Sequence, residues 1–241
     1  MSSRIQNDSF NKDNVNKTII RNYIRYYLRL PIKSEYTIDD MADDGVSVLD
    51  HLNIENAHIL GISMGGMIAQ IMASSYPEKT KTFTLIASTA STPSPFNGPS
   101  KDVRRLFIER TKNVDATIED RVSRTKKLFK LIGYQGIDLD TQEFSDNVKL
   151  SIERGGVDDT GFGRQLTAIL GSKNRIEKVR SISAPTLIIH GKEDPLIGVK
   201  NAYRSNKLIK GSKLVIIDNM RHLIEPPVFD QFKSDLLAHL K

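Results

Sequence analysis

A chain of 241 residues that is 39% hydrophobic carries enough apolar side chains for one sizeable core, and no apolar run approaches the roughly 18 residues that span a bilayer. It has no cysteine, which excludes disulfides, thiol catalysis and cysteine-bound metal. Its 35 basic and 29 acidic residues give a net charge of +6, but the lysines and arginines are scattered rather than clustered with aromatics, so no nucleic acid is expected as a partner.

The N-terminus, "MSSRIQNDSFNKDN", lacks the apolar stretch of a secretory signal, and the expected location is cytoplasmic. Residues 14–30 place Val15, Ile19, Tyr23, Ile24 and Tyr27 on one helical face, interleaved with Lys17, Arg21, Arg25 and Arg29, and Pro31 ends the helix. That face is expected to pack on the protein itself rather than on a membrane. Thr37 then reads as an N-cap, with Asp39 and Asp40 in the first turn and Ile38, Met41, Ala42, Gly45, Leu49 and Leu52 at helical spacing. Capping explains the two aspartates more simply than paired acid–base chemistry does.

Four short apolar runs follow, Ala57–Leu60, Phe83–Ala87, Pro185–His190 and Lys213–Asp218, and they read as buried parallel strands. Helical patterns at 64–75, at 197–209 and from Pro226 to Leu240 separate or follow them, the last with Phe229, Phe232, Leu236 and Leu240 on one side. The alternation predicts an α/β sheet with right-handed crossovers. Residues 91–181 break it: after the turn-rich "STASTPSPFNGPS" come helical patterns such as "DVRRLFIERTKN", "TIEDRVSRTKKLFKLIG" and "QEFSDNVKLSIERG". The expected organisation is an N-terminal segment at 1–35 with an amphipathic helix, a core at 36–90 and 182–241, and a helical cap at 91–181. The cap's Phe107, Phe129, Phe144 and Phe162 suggest an apolar acyl or alcohol group in the substrate, but helix-packing core is the simpler expectation.

"HILGISMGGMIAQ" puts Ser63 on a turn between a strand and a helix. Such a turn projects the hydroxyl from the carboxyl edge of the sheet and crowds the positions two before and two after it, which Gly61 and Gly65 occupy. The helix start aims the N–H of Met64 and the dipole behind it at an oxyanion forming on Ser63. A hydroxyl needs a base, and the base needs an orienting acid. "PTLIIHGKEDPL" presents Asp194 after a strand, and "LVIIDNMRHLIEPP" presents His222 in a loop after the last one. Glu193 is the rival acid, read as a surface charge. Of the other histidines, His51 and His239 lie on helical patterns, His58 inside a strand and His190 at a strand end, so all four are expected to be structural. No spacing indicates a metal site.

The segments "YTIDDMADDGVSVLDHLNIENAHILGISMGGMIAQ", "GRQLTAIL", "PTLIIHGKEDPL" and "DNMRHLIEPP" resemble the α/β-hydrolase superfamily, specifically esterases similar to aclacinomycin methylesterase and 3-oxoadipate enol-lactonase. The resemblance implies the α/β-hydrolase fold with a helical cap over the pocket. It implies cofactor-free hydrolysis of a small-molecule ester or lactone by Ser63, His222 and Asp194, with Met64 in the oxyanion hole. A serine at the elbow, where some members carry aspartate, implies acyl chemistry. Arg221 stands where the resemblance leads one to expect glycine, and pointed inward it would place a cation against His222.

At the front the chain departs from the pattern. The superfamily places four strands before the nucleophile strand and a second oxyanion donor in the glycine-rich loop after the third. Here residues 1–62 hold Gly45, in a helix, as their only glycine before Gly61. The expectation is a mainly parallel sheet truncated at its N-terminal side and activity impaired by loss of the oxyanion loop. The strand at 57–60 would become an apolar edge open to homo-oligomer pairing. The alternative is a non-catalytic, degenerate hydrolase or an interaction protein that pairs through that edge.

Overall fold

A computed structural model describes residues 20–22, 24–92, 98–112, 116–155 and 159–241. Its sheet has four parallel strands, β1 (Ala57–Ile62), β2 (Thr80–Ile86), β3 (Thr186–Gly191) and β4 (Lys213–Ile217), in the order β1-β2-β3-β4. All four expected strands are present. β2 begins three residues before the apolar run because Thr80 and Thr82 are β-branched and buried, so hydropathy alone placed its start too late.

Helix α1 (Ile38–His51) opens with the expected cap: the Thr37 hydroxyl accepts from the Asp40 N–H, and an Asp40 carboxylate oxygen accepts from the Thr37 N–H at 2.7 Å. Asp39 pairs instead with Lys178 at 2.6 Å. Ile38, Ala42 and Val46 of α1 pack on Met67, Ile71 and Met72 of α2 (Met64–Ser75). The opposite side of α2 brings Ala69 and Ala73 onto Phe83 and Leu85 of β2, together with Val179 of α7 (Ile176–Arg180) and Ala202 of α8 (Lys200–Leu208). On the other face of the sheet, α9 (Pro226–His239) lays Val228, Phe232 and Leu236 over Ile86, Leu187, Ile189 and Ile217. The alternation along β2 thus feeds two cores, one on each face.

Between β2 and β3 the described residues form helices only: α3 (Lys101–Lys112), α4 (Ile118–Ile132), α5 (Gln142–Glu153), α6 (Asp159–Leu170) and α7. Thr117 and Thr141 cap α4 and α5 through their hydroxyls. Phe129 and Phe144 meet edge to face at 5.5 Å, the packing role expected of them.

The first amphipathic helix departs from expectation. Residues 20–22 and 24–27 are helical, while Val15, Lys17, Ile19 and Tyr23 lie outside the described residues. Ile20, Ile24 and Leu28 face solvent, and the buried residue of this turn is the polar Asn22, whose amide donates to the Lys33 carbonyl at 3.1 Å. A helical period locates an apolar face but cannot say that a partner element covers it. Among the described residues, no helix is long and apolar enough to cross a membrane, and no group of His, Asp and Glu could hold a metal ion.

Candidate active site

β1, β3 and β4 end on the same edge of the sheet, and the loops beyond them carry Ser63, Asp194 and His222. In an all-parallel sheet that carboxyl edge is where the crossover geometry opens a crevice. Ser63 sits at φ 54°, ψ −118°, the left-handed region that costs a non-glycine residue of order 1–3 kcal/mol. Its backbone is held on both sides: its N–H donates to the Ile86 carbonyl at 3.0 Å, and its own carbonyl accepts from the Ser88 hydroxyl at 2.6 Å. The turn thus hangs from the end of β2.

Gly61 is required as expected, since a Cβ there would lie 2.3 Å from the Gly65 carbonyl oxygen. Gly65 is a correction: a side chain at that position would meet open space. The crowded neighbour is Gly66, where a Cβ would come within 2.6 Å of the Ser88 side chain, because the helix packs against the end of β2 at that residue. Met64 opens α2, so its N–H is among the first four that no helical carbonyl takes up.

The three side chains singled out from sequence come into one hydrogen-bonded line. Ser63 Oγ lies 3.0 Å from His222 Nε2, and His222 Nδ1 lies 2.7 Å from Asp194 Oδ2. With Nδ1–H donating to the carboxylate, Nε2 is the acceptor for the serine proton. Asp194 and His222 are both buried. Asp194 Oδ1 accepts the N–H groups of Leu196 and Ile197 at 2.8 and 2.9 Å, which fixes the carboxylate on its own loop. Glu193 points elsewhere, its carboxylate 3.9 Å from the Arg221 guanidinium.

His190, expected to be structural, proves to be a neighbour of this acid. It is fully buried, with Nε2 2.7 Å from the Ile197 carbonyl and 3.5 Å from Asp194 Oδ2. Burial raises the Asp194 carboxyl, but hydrogen bonds from His190 and His222, the His222 charge and the Ile197 N–H outweigh it and hold the group at about 2 instead of 3.8. A carboxyl depressed by folding contributes stability that is present above its unfolded value and lost as pH falls through its folded value. Urea midpoints of the wild-type chain and Asp194→Asn should therefore differ most above pH ~4 and converge as pH falls toward ~2.

Arg221 turns away from His222. Its guanidinium donates to the carbonyls of Leu131 and Lys130 at 2.9 and 3.3 Å, at the C-terminal end of α4, where a cation is favoured. The His222 and Leu223 N–H groups both donate to the Ile132 carbonyl, and Glu225 accepts the Tyr134 N–H at 2.9 Å. The histidine loop is thereby docked on the end of α4.

A cavity of about 1020 Å³ opens on Ser63, Met64 and Asp194, roofed by Phe107 of α3 and Phe162 and Leu166 of α6. Phe107 and Phe162 stack edge to face at 5.5 Å and also line the cavity, so for these two the alternative, an apolar wall of the pocket, holds beside the packing role.

The alpha/beta hydrolase fold model matches residues 17–224. The chain belongs to that family. This α/β hydrolase is 24% identical over 221 residues to a rhodomycin D methylesterase of Streptomyces peucetius, covering 86% of this chain and 74% of that one. It is 26% identical over 207 residues to a 3-oxoadipate enol-lactonase of Acinetobacter baylyi, covering 85% and 73%. A crystal structure of a hydrolase from Pseudomonas aeruginosa superposes with a TM-score of 0.68 at 20% identity, over 88% of this chain and 74% of that one.

Behind the elbow the hydrolase buries an arginine that the sequence reading passed over. Arg175 donates to the Ser172 hydroxyl at 3.0 Å and to the Thr89 and Ser91 carbonyls at 3.2 and 3.3 Å, with Gln70 of α2 at 3.4 Å. Burial pushes its guanidinium down to about 10, which leaves it charged at neutral pH. It joins α2, the loop after β2 and the start of α7. Arg175→Ala, which orphans several buried acceptors at once, should lower stability by about 3 kcal/mol in urea denaturation.

Proposed function

We propose that this α/β hydrolase is a serine esterase, cleaving a carboxylic ester or lactone through an acyl-enzyme on Ser63. The observation that carries the reading is the continuous line Ser63 Oγ–His222 Nε2 and His222 Nδ1–Asp194 Oδ2, at 3.0 and 2.7 Å, with Ser63 lining the cavity. Ser63 Oγ attacks the carbonyl carbon while its proton passes to His222 Nε2. The oxyanion forms against the Met64 N–H. His222 then gives the proton to the departing alcohol oxygen, leaving the acyl group on Ser63. Water attacks that ester, again losing a proton to His222, and the acid departs as Ser63 is reprotonated. Asp194 holds the tautomer throughout and stays ionised. No step calls on a cofactor.

Met64 is the oxyanion donor that the elbow supplies. Loss of one such donor slows acyl transfer on the order of 100- to 1000-fold, so the Met64 N–H carries weight in the proposed route. The test is hydrolysis of p-nitrophenyl acetate and butyrate by the purified chain beside Ser63→Ala. Turnover that depends on Ser63 supports the reading, and equal rates remove it.

A second reading, as a degenerate hydrolase or interaction protein that pairs with a second copy through β1, is favoured by the edge position of that strand. Among the described residues β1 pairs with β2 alone, and its Leu60 and Ile62 are 43% and 42% exposed. It requires a concentration-dependent dimer on size exclusion that Leu60→Lys disperses, with no acylation of Ser63.

A further inference from the structure

The charges around the cavity are one-sided. The cavity is lined by four cationic side chains, Arg104, Lys192, Lys200 and Arg204, and by a single carboxylate, Asp194, which is buried and committed to His222. Over the whole chain the balance is nearly even, 35 basic to 29 acidic residues. Lys192 is neutralised by Asp218 at 2.7 Å. Among the described residues, Arg104, Lys200 and Arg204 have no ion-pair partner.

Their placement argues for more than a solvated surface. Lys200 and Arg204 are one turn apart on α8, so they share a face, and like charges at that spacing weaken a helix by a few tenths of a kcal/mol. Arg104 comes from α3, in the cap, and lines the same cavity. Cations from two separate elements thus converge on one concavity, whose low-dielectric walls focus their field. Among the described residues, no carboxylate pairs with Arg104, Lys200 or Arg204, and the acid of the site is already committed to His222.

We infer that the substrate is an anion: an ester whose acyl or alcohol half carries a free carboxylate, held by Arg104, Lys200 and Arg204 while the ester carbonyl lies at Ser63. The inference rests on the esterase reading of the cavity and deepens it by naming the substrate's charge. The guanidinium groups of Arg104 and Arg204 suit a planar carboxylate, which can accept two parallel N–H bonds from either.

Binding can be measured apart from turnover. On Ser63→Ala, titration calorimetry would compare monomethyl glutarate, a monoanion, with neutral dimethyl glutarate. At low ionic strength the monoanion should bind about tenfold more tightly. Its advantage should shrink toward unity near 0.5 M salt, where the screening length falls to a few ångströms. Arg104→Gln and Arg204→Gln, each added to Ser63→Ala, should each cut the preference about two- to fivefold, with circular dichroism checking the fold. Equal affinities, no binding of either ester, or a preference that survives both substitutions overturns the inference. Ser63-dependent hydrolysis of p-nitrophenyl butyrate by the wild-type chain is scored separately. An esterase without charge preference fails the inference alone, and charge-selective binding without turnover fails the esterase reading alone.

Discussion

His222→Ala should lower kcat for p-nitrophenyl butyrate at least ~10³-fold with little change in KM, and Ser63→Ala/His222→Ala should be no worse than either single variant. The reason lies in the 3.0 Å contact between Ser63 Oγ and His222 Nε2. The hydroxyl is a nucleophile only while a base can take its proton, so removing either group removes the same step. Additive losses from the two changes would mean that they act on separate steps, which the acyl-enzyme route does not allow. On the proposed route His222 touches the reacting atoms rather than the distant parts of a substrate, so the loss belongs in kcat.

Gly191→Ala should cost at least ~100-fold in kcat and about 3 kcal/mol in stability. Gly191 ends β3, and a Cβ there would lie 2.2 Å from the carbonyl oxygens of both Met220 and Arg221. These are backbone atoms of the loop that carries His222, so no rotamer change can relieve the contact. The loop must move, and it is pinned on its far side by the His222 and Leu223 N–H bonds to Ile132. A displacement of even 1 Å breaks the line from Ser63 to Asp194. Rates and urea midpoints measured on the same preparation separate the two effects, and an unchanged kcat would show that the loop is not held from this side.

What the sequence revealed, and what it hid, divides along the range of the forces involved. Strands buried on both faces read as continuous apolar runs, so β3 was visible as "TLIIH". The order Ser63, Asp194, His222 was visible because each follows a strand and precedes a helix or loop, a purely sequential cue. Requirements imposed by distant neighbours were not. Gly66 is needed because Ser88 packs on it, and Gly191 because the histidine loop crosses it. His190 looked like a strand-end residue until the loop after β3 folded back to bring Asp194 to within 3.5 Å of it. Arg104 on α3 lies 96 positions before Lys200 on α8, and only the fold shows that they line the same cavity. The orientation of Arg221 was equally open from sequence, and the carbonyls at the end of α4 decide it.

Whether Ser63 is the activated nucleophile is settled by intact-protein and peptide mass spectrometry after exposure to a fluorophosphonate, on the wild-type chain, Ser63→Ala and His222→Ala. One adduct is expected on the wild-type chain, mapped to Ser63, none on Ser63→Ala, and labelling of His222→Ala slowed by orders of magnitude. An unlabelled wild-type chain, or an adduct on any residue other than Ser63, would contradict that role.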